Sequence, residues 1–157
     1  IEAVLSGTLN FVFNNYDGTT SFAKVVRQAQ DEGYTEPDPR EDLSGMDVAR
    51  KILILSREIG LKLEFADITI EKIIPSACEA APTVDAFFEE LDKANSYFEA
   101  MVNEAYAEKK VLRYIAKLEN QKISIGLRAV GADHPFYQMD GADNVIAFTT
   151  KRYQMMD

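Results

Sequence analysis

The chain has 157 residues, 46% hydrophobic and 27% charged, with 17 Lys and Arg against 26 Asp and Glu for a formal net charge of −9. That is the length of one domain able to bury roughly 70% of its unfolded surface, and its acidity argues against a nucleic-acid or anionic-membrane partner, which needs a basic face. No apolar run approaches the ~20 residues that span a bilayer, and the lone cysteine, Cys78, allows no intrachain disulfide and fits a reducing cytoplasm.

Residues 1–5 (IEAVL) predict a short strand. A helix follows over SGTLNFVFNNY, capped by Ser6, with Leu9, Val12, Phe13 and Tyr16 inward and Asp17-Gly18 as its stop. TSFAKVVRQAQDEG predicts a second helix, capped by Thr20 or Ser21 and closed by Gly33. Pro37 and Pro39 then forbid a continuous helix. Ser44-Gly45-Met46-Asp47 has the spacing of a capping box, and Val48, Ile52, Leu55 and Ile59 form an inward stripe that ends at Gly60. ITIEKII (68–74) predicts a strand, and TVDAFFEELDKA and NSYFEAMVNEAYAEKK two helices, the first capped by Thr83. The period then changes to two: VLRYIAKLE and KISIGLRAV form an antiparallel hairpin about Asn120-Gln121, and NVIAFTTKRY a further strand. Helices dominate the first half and strands the end, so the expected class is α+β, a mixed, largely antiparallel sheet with helices on one face.

The chemistry concentrates in GYTEPDPREDLSGMDVARK, Gly33 to Lys51. Asp47 and Lys51 are i,i+4 on one helix face, which by itself describes a surface ion pair. The loop before them also carries Glu36, Asp38, Glu41 and Asp42, more acid than a helix dipole needs. A ligand's amino group would satisfy two or three of these carboxylates, leaving Lys51 to protonate a developing alkoxide. A divalent-cation loop is the weaker reading, since the spacings are not those of an EF-hand, and one His with one Cys makes no ordinary zinc site. Gly7 and Thr8, first in their helix, offer backbone N–H groups to a carboxylate. An anion site there and a cation site at Glu36/Asp42 would together suit an amino acid. No GxGxxG or P-loop is present, and His134, before Pro135, predicts a loop residue without an evident nucleophile.

The run Ala29-x-x-x-Gly33-Tyr34-Thr35-Glu36-Pro37-Asp38-Pro39-x-x-Asp42-Leu43-x-Gly45-x-Asp47-x-x-x-Lys51 resembles the signature of homoserine dehydrogenases. SGTLNFVFN, SYFEAMVNEA and HPF…GADNVIAFTTKRY extend the similarity over nearly the whole chain. The resemblance implies an NADP- or NAD-dependent oxidoreductase domain that interconverts L-aspartate 4-semialdehyde and L-homoserine on the route to threonine and methionine. It implies Lys51 as proton donor, Asp47 as the residue holding substrate and lysine, and Glu36 as receiver of the amino group. Asp42, Tyr34 and the Gly7-Thr8 backbone would complete the pocket.

The same resemblance implies that residues 1–157 are a catalytic and dimerisation domain, from a monofunctional enzyme or one fused to an aspartokinase. The Rossmann domain that binds most of the cofactor, a second substrate lysine and a C-terminal Gly-rich segment would lie outside it. The expectations are a cytoplasmic homodimer formed through the sheet, no resident metal, and no turnover by this piece alone. The competing reading is a non-catalytic amino-acid-binding or oligomerisation module of the same fold.

Overall fold

The sheet grows outward from one hairpin. In the computed structural model, which describes residues 1–151, β3 (Val111–Glu119) and β4 (Lys122–Val130) pair antiparallel from Val111↔Val130 to Glu119↔Lys122. Asn120 and Gln121 both take positive φ, 51° and 60°, as a two-residue turn matched to strand twist requires. β1 (Glu2–Val4) runs antiparallel beside β3, and β5 (Val145–Ala147) antiparallel beside β1. β2 (Ile68–Ile70) joins β4 in parallel, for the order β2-β4-β3-β1-β5. The sheet is therefore mixed and largely antiparallel, as the sequence pattern predicts.

Alternation on the central strands sorts the two faces. Leu112, Tyr114, Ala116 and Leu118 of β3, with Ile123 and Ile125 of β4, enter the main core beneath the helices. The opposite face carries a smaller cluster of Val4, Ile115, Val130, Phe136 and Met139, the last two from the segment after β4.

The helices are α1 (Gly7–Asn15), α2 (Phe22–Asp31), α3 (Pro39–Leu43), α4 (Met46–Glu58), α5 (Ser76–Glu79), α6 (Val84–Lys93) and α7 (Asn95–Ala107). Caps set most starts: Ser6 accepts from Leu9 N, Ser21 rather than Thr20 from Lys24 N, and Thr83 from Ala86 N. α2 ends in a Schellman turn, with Gly33 at φ 82°, Gly33 N donating to Gln30 O and Tyr34 N to Ala29 O. Phe22 of α2 stacks on Phe98 of α7 at 4.0 Å between ring centroids.

Several expectations are corrected. The stretch before α4 is not all loop: Asp38 caps α3, and Pro39 takes its first position, where the missing N–H is no loss. The capping box at Ser44 and Asp47 does not form. Gly45 holds the N-cap of α4 at φ 74°, and Ser44 instead caps the end of α3. α4 is rotated from the predicted stripe, burying Val48, Ala49, Ile52, Leu53 and Ser56 and leaving Ile59 54% exposed. β2 stops at Ile70, after which Ile73 and Ile74 turn into the core. α7 ends at Ala107, short of Lys110. β5 spans three residues instead of 144–153, the last two of which lie outside the described part.

Candidate active site

A cleft of about 450 Å³ opens where the start of α1, the turn after α2, α3 and the first turns of α4 converge. Gly7, Thr8, Tyr34, Glu36, Asp42, Asp47 and Lys51 all line it. The sequence motif thus folds back on itself: α3 and the Gly45 N-cap reverse the chain so that α4 presents its first two turns to the loop that precedes it.

Lys51 is held from two sides. Its Nζ donates to the Leu5 carbonyl at 2.9 Å and lies 2.9 Å from Asp47 Oδ2. Leu5 directly follows β1, so the sheet's backbone fixes one anchor and the helix's own i,i+4 spacing the other. An ammonium has three N–H groups, and the third remains for a ligand. Both side chains are partly exposed, which makes the pair a weak source of stability and a directional constraint on the lysine.

Asp42 stitches the opposite wall. Its Oδ2 accepts from Glu36 N at 2.9 Å and its Oδ1 from the Thr8 hydroxyl at 3.2 Å. The Thr8 hydroxyl also donates to Tyr34 O, so its single proton is shared between the two acceptors. Burial pushes the Asp42 carboxyl above its ordinary range, the bonds from Glu36 N–H and Thr8 pull it back, and the Glu36 charge raises it further. The Glu36 carboxylate has no hydrogen-bond or ion-pair partner among the described residues. Tyr34 stacks on Phe11, with 4.4 Å between centroids and 25° between planes, and so forms an aromatic side to the cleft.

The sequence fits the homoserine dehydrogenase family profile over residues 1–156. The chain belongs to the homoserine dehydrogenase family. It is 45% identical over 156 residues to the bifunctional aspartokinase/homoserine dehydrogenase 2 of Zea mays, covering 98% of this chain and 17% of that protein. It is 42% identical over 161 residues to the homoserine dehydrogenase of Schizosaccharomyces pombe, covering 98% of this chain and 43% of that one. A crystal structure of a Candida auris protein of unknown function superposes with a TM-score of 0.89 at 38% identity, over 97% of this chain and 44% of that one. The chain thus spans less than half the length of each of these proteins.

Within this family fold, other sequence expectations sort out. Asp38 is not in the cleft wall. It caps α3 and pairs with Arg40 at 2.7 Å, whose hydrogen bonding holds the carboxyl below its ordinary range. Gly7 does allow a close backbone approach, but the approaching group is the chain's own: a Cβ there would sit 3.1 Å from the Ala142 carbonyl oxygen. His134 is structural. Phe136 N donates to its Nδ1 at 3.1 Å, so its Nε2–H faces Glu2 Oε2 at 3.0 Å.

Arg50, unremarked in the motif, lines the cleft one helical turn from Asp47. Its signal was the i,i+3 spacing, which puts it on the same side of α4. Among the described residues no group of three His, Cys, Asp or Glu side chains converges as a metal would need, and no helix is long and apolar enough to cross a membrane.

Proposed function

We propose that this chain supplies the substrate pocket and the proton donor for NAD(P)-dependent interconversion of L-aspartate 4-semialdehyde and L-homoserine, within threonine and methionine biosynthesis. The observation that carries the reading is an anchored lysine, Lys51, sharing one cleft with a carboxylate, Glu36, that has no partner among the described residues. The substrate's ammonium sits against Glu36, with Asp42 behind it, and forms charge-assisted hydrogen bonds. Its carboxylate lies towards the first N–H groups of α1 at Gly7 and Thr8. Tyr34 closes the side, and the γ-oxygen reaches Lys51 Nζ.

The nicotinamide cofactor supplies the hydride when bound. The residues of this chain fit the amino-acid end of the reaction and not a dinucleotide's pyrophosphate. Glu36, Glu41, Asp42 and Asp47 make the cleft acidic, and the sequence has no Gly-rich phosphate loop. The cofactor's phosphates therefore belong to a nucleotide-binding domain outside these residues, and this chain alone does not turn over. Lys51 protonates the nascent alkoxide in reduction and takes that proton back in oxidation, while Asp47 and the Leu5 carbonyl keep Nζ aimed at the oxygen.

The same reading includes a homodimer formed through the sheet and a reducing cytoplasmic setting, for which the free, buried Cys78 is suited. The test is Lys51→Ala in the full-length protein. A proton donor predicts kcat reduced about 10²- to 10⁴-fold with homoserine binding largely kept. An unchanged rate per site with lost assembly favours an oligomerisation module.

A further inference from the structure

Arg113 is a charged residue in an unlikely place. It is 4% exposed on β3, on the face of the sheet away from the main helical core. Among the described residues no carboxylate pairs with it. Within that described part its guanidinium donates to backbone carbonyls alone: Nε to Phe136 at 2.9 Å, Nη2 to Tyr137 at 3.0 Å and Nη1 to Leu112 at 2.9 Å. A buried cation without a counter-ion is an expensive way to fill space, and an apolar side chain of similar size would fill it better. What the guanidinium adds is direction. Its planar fork grips two consecutive carbonyls of one turn, a geometry that a lysine cannot reproduce.

The gripped segment, residues 131–143, leads to the cleft. Phe136 and Met139 pack against Val4 and Ile115. Beyond them the segment is caught by α1: Asn10 Nδ2 donates to Gly141 O at 3.3 Å and Asp143 O at 3.2 Å, and Asn14 Nδ2 to Gly141 O at 3.1 Å. Between those carbonyls, Ala142 presses on Gly7, which lines the cleft. The chain then enters β5, which pairs with β1, and the residue after β1 is Leu5, the carbonyl anchor of Lys51. Both the Gly7–Thr8 rim and the lysine's anchor thus hang from this one segment.

We infer that Arg113 is a positioning residue of the cleft, acting through the 131–143 segment on the start of α1 and the end of β1. None of its hydrogen bonds goes to a lining residue, and Asn14 is the far end of the same staple. The kinetic part of its test rests on the homoserine reading, and the exchange part does not.

The experiment compares R113K, N14A and the double variant in the full-length protein. Hydrogen–deuterium exchange of peptides covering residues 4–12 is expected to quicken about tenfold in each variant, while peptides of α6 and α7 stay near wild type. The KM for homoserine is expected to rise about tenfold with the KM for the cofactor unchanged. The double variant should be no worse than the more severe single one, because both act on one segment. Unchanged exchange at residues 4–12, or uniform quickening over the whole chain in step with Tm, would overturn the inference and leave Arg113 a stability residue. Should R113K fail to fold, N14A, at a half-exposed position, gives the same decision. A wild-type protein that does not oxidise homoserine would sink the functional reading, with the exchange result still deciding the role of Arg113.

Discussion

Lys51 Nζ lies 2.9 Å from the carbonyl oxygen of Leu5 and 2.9 Å from Asp47 Oδ2, so a strand end and the first turn of a helix hold the same ammonium. The two anchors differ in kind. The carbonyl cannot be removed by substitution, whereas the carboxylate can. Asp47→Asn keeps an oxygen near Nζ but removes the charge-assisted contact that aims it. We expect kcat for homoserine to fall about tenfold to a hundredfold, with Tm within about 4 °C of wild type, since exposed ion pairs contribute only about 0–1 kcal/mol. Steady-state kinetics beside a thermal melt checks this. A large loss of Tm with kcat intact would make the pair structural.

Gly45 is required twice over. Its φ of 74° is left-handed, and a Cβ there would lie 2.0 Å from the Tyr114 hydroxyl and 3.1 Å from its Cζ. Gly45→Ala should therefore destabilise by about 2–5 kcal/mol, combining backbone strain with overpacking. The Tyr114 hydroxyl is buried with no hydrogen-bond partner among the described residues, and burial pushes its pKa up to about 12. Tyr114→Phe alone should be neutral or slightly stabilising, because it removes an unsatisfied group. It should also recover part of the Gly45→Ala loss. Denaturant unfolding of the four proteins gives the coupling directly, and simple additivity would contradict the contact.

Asp42 carries a pH signature. Its carboxyl is raised above the ordinary 3.8, chiefly by burial. A carboxyl with a raised folded-state pKa binds its proton more tightly folded than unfolded. Its favourable contribution is full below the unfolded pKa and is lost as pH rises through the folded one. Asp42→Asn abolishes that titration. Relative to wild type, the variant should be least stable below the ordinary aspartate pKa of 3.8 and should gain as pH rises from there through the raised folded-state pKa. Urea midpoints at several pH values test this, and a difference independent of pH would refute it.

The features legible in the sequence are those fixed locally. Ser6, Thr83 and Gly33 act where their caps predict, and the hairpin about Asn120-Gln121 forms because period and turn agree. Gly45 at the N-cap of α4 was not legible, since its need comes from Tyr114 on a strand distant in sequence. The role of Asp38 could have been read from Asp-Pro, a cap followed by a proline at the first helical position. Leu5 as a lysine anchor could not, because a backbone carbonyl has no sequence signature. The short β2 and β5 are edge strands, whose lengths depend on what lies beside them.

Glu36 separates function from stability most cleanly. Its carboxylate is exposed and without a partner among the described residues, so removing its charge disturbs no contact. Surface changes of that kind usually stay within about 0.5 kcal/mol. Glu36→Gln should therefore melt like wild type. If the carboxylate receives the substrate's ammonium, a charge-assisted hydrogen bond of about 1.5–3 kcal/mol is weakened, and the KM for homoserine should rise roughly 10- to 100-fold. The specificity should shift with it. 4-Hydroxybutyrate, which is homoserine without the amino group, has nothing to offer Glu36, so its weak oxidation should be unaffected or improved by the loss of a negative charge. The ratio of kcat/KM for the two alcohols then falls by about the factor that the homoserine KM gains. Equal losses for both would mean that Glu36 shapes the cleft without reading the ammonium, and no loss for either would move the cation site to Glu41 and Asp42.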